Sequence, residues 1–171
     1  MKRDDGFTLI ELLMVVAILG ILASIAVMSV LRARSAANEA AAIGTMRTIT
    51  SGQVTYAATC GRGNYATDLT ALGPQPASPV GFLPPDLSSA NVVQKSGYRI
   101  QIGPSAGAVA MGPDCNGIAL QTGYYARSEP LLYGTSGNRS FATSARSPVI
   151  WQVYGAASPL EPFAAPATPI Q

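Results

Sequence analysis

From Leu12 to Leu31 the chain runs through twenty positions at which only Ser24 and Ser29 are polar. As an α-helix rising 1.5 Å per residue, such a run spans about 30 Å, the thickness of a bilayer's hydrocarbon core. A helix that is apolar on every side is not a surface helix of a soluble domain. It needs lipid, or equally apolar helices, all round it. Composition agrees: charged residues make up 12% of the chain, against about 25% in ordinary soluble domains.

Glu11 complicates this picture, because it stands immediately before the run in Phe7-Thr8-Leu9-Ile10-Glu11. A secretory signal peptide would use Lys2 and Arg3 as its basic region and Ala23 to Ala26 as its cleavage site. A plain membrane anchor would need neither. Both gain nothing from an acid at the edge of the apolar stretch, where ionisable groups are costly and usually functional.

A short charged leader ending in Gly6, followed by Phe7-Thr8-Leu9-Ile10-Glu11 and the apolar run to about Val30, resembles the class III leader of type IV pilins and their pseudopilin relatives. The resemblance implies cleavage between Gly6 and Phe7 by a membrane-embedded prepilin peptidase and N-methylation of the new amine on Phe7. It also implies a single-pass subunit of the inner membrane, with its leader in the cytoplasm and its C-terminal head outside. Inner-membrane assembly machinery would then build such subunits into a homopolymeric surface filament, with Glu11 setting assembly and register. Charge alone leaves the orientation open, since Lys2 and Arg3 precede the span and Arg32 and Arg34 follow it. Many pilins carry a proline within this helix, whereas this chain has none before Pro74. Gly20 is the weak point of the membrane half.

The helical pattern continues past Leu31. Ala36, Ala40, Ile43, Met46, Thr50, Val54 and Ala57 recur at spacings of three and four, with Ser35, Asn38, Thr45 and Thr48 opposite them. The expected organisation is a leader over 1–6, a transmembrane or filament-core helix over 7–31 and its amphipathic continuation over 32–58. A globular head over 59–155 and a Pro-rich tail over 156–171 complete it.

All 13 prolines lie beyond Cys60, so the long helix ends there. A loop-rich connector with one helical turn around Asp68 to Leu72 follows. Strand candidates then occur at 97–102, 108–111 and 123–126, with a hairpin formed by 139–143 and 149–154. The fold class is α+β, a long helix packed on a small antiparallel sheet of three or four strands. The last hairpin also resembles that of many bacterial pilin-like proteins.

Cys60 and Cys115 form no CxxC pair. In an extracytoplasmic head they can oxidise to a disulfide tying connector to helix. Asp114 and Asn116 flank Cys115, but two oxygen side chains fall short of a calcium site, and the segment reads as a turn. The chain has no histidine, so the commonest general base is missing and no catalytic residue, metal or cofactor is expected. A net charge of +2 without basic runs argues against nucleic acid as a partner. The leading reading is a pilin. The alternatives are a pseudopilin of a type II secretion system and, from another class, a membrane-anchored enzyme or binding domain.

Overall fold

A computed structural model describes residues 7–170. Helix α1 runs over Leu9–Thr59, and the chain divides into two compact units, up to Arg34 and from Ser35 onward, with α1 contributing to both. In the first unit every described residue is solvent-exposed. Its two serines bond to their own helix, Ser24 Oγ donating to the Ile21 carbonyl at 2.7 Å and Ser29 Oγ to the Ala26 carbonyl at 2.9 Å. The apolar run therefore presents no unsatisfied hydroxyl to its surroundings.

In the second unit α1 packs on an antiparallel sheet. The elements after it are β1 (Tyr65–Ala66), a 3₁₀ turn (Thr70–Leu72), α2 (Pro85–Ser88), β2 (Val92–Lys95) and β3 (Tyr98–Pro104). Then come β4 (Ala110–Pro113), β5 (Ala119–Gln121), β6 (Tyr124–Pro130), β7 (Arg139–Ser144), β8 (Trp151–Tyr154) and β9 (Thr168–Pro169). Strands β2-β3-β6-β7-β8-β9 form one six-stranded sheet, and β1-β5-β4 form a second, three-stranded one. The expected hairpin is the β7–β8 pair, with Arg139 opposite Tyr154 and Ala142 opposite Trp151.

Side chains alternate along β3, so Tyr98, Ile100 and Ile102 turn inward. They join Tyr124, Ala126 and Phe141 from the sheet and Met46, Ile49 and Tyr56 from α1 in one core. The buried face of α1 is Ser35, Glu39, Ala42, Thr45, Met46, Ile49, Gly52, Gln53 and Tyr56. That corrects the expected stripe: Ser35 and Thr45, expected opposite it, are buried, and Val54 is exposed. The true face carries Glu39 and Gln53, whose polar groups are satisfied by the head, so apolar spacing alone points part of a turn away from it, sharing Met46 and leaving Ile43, Thr50 and Ala57 at its margin. Gly52 belongs to it because a Cβ there would come within 2.9 Å of the Phe82 carbonyl and Leu83.

The segment from Ala156 onward lies on the sheet's outer face. Phe163 stacks on Trp151 at 5.4 Å, Tyr125 donates its hydroxyl hydrogen to the Pro159 carbonyl at 2.6 Å, and β9 adds an edge strand to β8. Ser158 bonds through its N–H and hydroxyl to Glu129 Oε1 at 3.3 and 3.0 Å.

Candidate functional site

Two groups of residues carry the chemistry that the sequence points to, one in each unit. At the start of α1, Thr8 caps the helix. The Glu11 N–H lies 3.3 Å from Thr8 Oγ1, and that hydroxyl lies 3.4 Å from Glu11 Oε2. Thr-x-x-Glu is capping-box spacing, and the carboxylate sits in the first turn, where the helix dipole favours negative charge. The spacing is visible in the sequence, yet Thr8 was not among the expected site residues. Phe7 and Glu11 are both exposed, and Gly6 lies outside the described residues.

In the head, Cys60 and Cys115 form a disulfide with their Cα atoms 5.0 Å apart, joining the end of α1 to the loop between β4 and β5. Beside it, Asp114 Oδ1 accepts the N–H groups of Asn116 at 2.7 Å and Ile118 at 2.8 Å, closing the expected turn. Asp114 Oδ2 accepts the Tyr56 hydroxyl at 2.6 Å. Burial alone would raise the Asp114 pKa, but these hydrogen bonds outweigh it and hold the carboxyl below its ordinary value. Burial chiefly, then the bond to Asp114, pushes the Tyr56 hydroxyl well above the ordinary tyrosine range. The two cysteines and Asp114 bring their ligand atoms within 4.8 Å of one another. The sulfurs are bonded to each other and both carboxylate oxygens accept protein donors, so the set is a structural clamp. Asn116 extends it, taking the Ala77 N–H on Oδ1 at 2.8 Å.

Glu39 is a second clamp that the stripe reading missed. It accepts Arg139 Nε at 2.7 Å and Nη2 at 2.6 Å on Oε2, and the Asn138 N–H at 2.7 Å on Oε1. Gln53 is the third. Its amide takes the Ala66 N–H at 3.0 Å and donates to the Ala66 carbonyl at 3.2 Å, satisfying β1 from the helix side.

Residues 1–27 match the family model of the prokaryotic N-terminal methylation motif. The chain carries a class III signal peptide of the type IV pilin kind. The motif's apolar part lies within a helix long and apolar enough to cross a membrane. Behind it stands an α+β, pilin-like architecture in which the helix packs on an antiparallel sheet. No curated protein and no solved structure matches the chain.

Proposed function

We propose that this chain is a structural subunit of a type IV pilus, cleaved after Gly6, methylated on the Phe7 amine and polymerised through α1. One observation carries the reading: the methylation motif coincides with the start of a helix whose apolar window has no buried residue in the chain's own fold. Such a surface finds cover first in lipid and then among copies of the same helix. The head stands outside the inner membrane, and the Cys60–Cys115 disulfide suits that oxidising compartment. The role is mechanical rather than catalytic and takes no cofactor. Its partners are the prepilin peptidase, the inner-membrane assembly machinery and other subunits.

Mass spectrometry of sheared surface filaments tests this. A dominant species beginning with N-methylated Phe7 supports the proposal. Processed chain retained in the envelope, with none in surface filaments, assigns it instead to a secretion pseudopilus. A mature N-terminus between Ser24 and Val27 refutes both.

A further inference from the structure

Five asparagines occur in the chain, and one of them, Asn116, is followed by glycine. That neighbour makes an asparagine chemically labile. The backbone nitrogen of the next residue can attack the side-chain amide carbon, and glycine, with no Cβ, leaves that nitrogen unshielded. Here Gly117 is exposed, and a Cβ built on it would meet nothing within 4 Å. Water reaches the glycine, so burial does not protect the pair.

The amide is held instead by the disulfide clamp. Asn116 Oδ1 accepts the Ala77 N–H at 2.8 Å, while Nδ2 lies 3.3 Å from Cys115 Sγ and 3.5 Å from Cys60 Sγ. The backbone is pinned on both sides of the Asn116–Gly117 bond. The N–H groups of Asn116 and Ile118 both donate to Asp114 Oδ1, and the Gly117 N–H donates to the Asp114 carbonyl at 3.3 Å. Attack within a chain depends steeply on alignment, a misplacement of about 1 Å being worth about a hundredfold in rate. Both contacts on Nδ2 are to disulfide sulfurs, so they last only while that bond holds the loop against α1.

We propose that Asn116 is a deamidation site kept unreacted by the Cys60–Cys115 disulfide, so that a head lacking the cross-link is irreversibly marked there. The step needs water alone as co-reactant. Gly117 N loses its proton to solvent base and bonds to Asn116 Cγ. The Cγ–Nδ2 bond breaks, and the nitrogen leaves with the electron pair as ammonia, taking a proton from water. Water then opens the resulting succinimide at either carbonyl, leaving aspartate or its β-linked isomer. Neither product has an amide hydrogen for the sulfurs, and each adds a negative charge close to Asp114 in the chain.

The test uses the full-length, detergent-solubilised chain carrying Ala106→Asn. That change sets a reference asparagine before the exposed Gly107, in the turn between β3 and β4, which takes no part in the clamp. The chain is incubated in mildly alkaline buffer, and peptide mass spectrometry follows deamidation at both positions. Each rate is divided by the rate at the same position in the reduced chain unfolded in urea. With the disulfide intact, position 116 should react at least about tenfold more slowly than position 106, as misalignment of the attacking atoms requires. With the cysteines kept reduced by a phosphine, the difference should vanish through a rise at 116 alone. Equal rates in the oxidised chain overturn the proposal, because the clamp then shields nothing. A slow 116 that stays slow after reduction also overturns it, giving the protection to the turn without the disulfide. A rise by the same factor at both positions assigns the effect to general unfolding and overturns it too.

Discussion

Glu39 and Arg139, a hundred residues apart in sequence, meet through two guanidinium nitrogens on one carboxylate oxygen. The other oxygen caps the Asn138 N–H. Helix and terminal hairpin are therefore joined by one almost fully buried acid.

Removing that acid leaves the mostly enclosed Arg139 without a counter-charge, held only through Nη1 by Gln152, and leaves the Asn138 N–H unpaired. Breaking one side of a buried pair costs about 3 kcal/mol, so Glu39→Ala should lower the head's melting temperature by about 10 °C. Thermal unfolding of the detergent-solubilised chain, followed by near-UV circular dichroism, measures it. A change within error would make the clamp energetically neutral.

Stability should fall at both ends of the pH scale. Asp114 and Glu129 are held below their ordinary values of 3.8 and 4.5. In Glu129 burial acts upward, and bonds from Arg99 and Ser158 reverse it. Carboxyls depressed in the folded state contribute stability that is present above the ordinary value and lost as pH falls through the lower folded one. Tyr56 and Tyr98 shift the other way, above 10.0, chiefly by burial. Their contribution is full below pH 10.0 and drains away as pH rises beyond it. The expected profile is a plateau from about pH 4.5 to 10 with both limbs falling. Asp114→Asn should flatten the acid limb and Tyr56→Phe the alkaline one, read by urea titration across pH.

Ser128 offers a gain. Its hydroxyl is buried between Ile100 and Phe141 on neighbouring strands, without a hydrogen-bond partner. An unsatisfied buried hydroxyl costs about 1 kcal/mol or more, so Ser128→Ala should stabilise the head by about 1 kcal/mol. A lower denaturation midpoint in the variant would mean that the hydroxyl is engaged.

Glu11 should matter to polymerisation and not to insertion. Among the described residues, its carboxylate meets Thr8. In the proposed filament, a staggered bundle would let it meet the Phe7 amine of a neighbour. Two charges about 4 Å apart at an effective dielectric near 20 attract by roughly 4 kcal/mol before desolvation is subtracted. Glu11→Ala should therefore insert and be cleaved normally while the yield of sheared filament collapses. Normal yield beside wild type would end the idea.

The sequence made the long helix, its end at Cys60, the cysteine pair and the last hairpin legible, because each rests on a local signal. The apolar run sets the helix, the onset of proline and glycine ends it, and alternation marks Tyr98 to Ile102. The phase of the helix's second half was illegible for a physical reason. Its buried face is built on Glu39 and Gln53, whose partners Arg139 and Ala66 lie far along the chain. Strands β1 and β9 are two residues long, too short for any period to show, and exist because Gln121 and Trp151 offer pairing edges. At the N-terminus the Thr8–Glu11 cap is legible in the Thr-x-x-Glu spacing itself.

The cross-link between Cys60 and Cys115 also decides how this chain bears load. While the disulfide holds, tension entering along the helix passes from residue 60 straight to residue 115, a separation of 55 in sequence. The intervening stretch, which holds the proline-rich connector, both short helices and strands β1 to β4, is bypassed. About 180 Å of contour length, at roughly 3.3–3.6 Å per residue, is thus unavailable for stretching. A fibre of such subunits would yield only by parting its helices or peeling its sheets, never by paying out that slack.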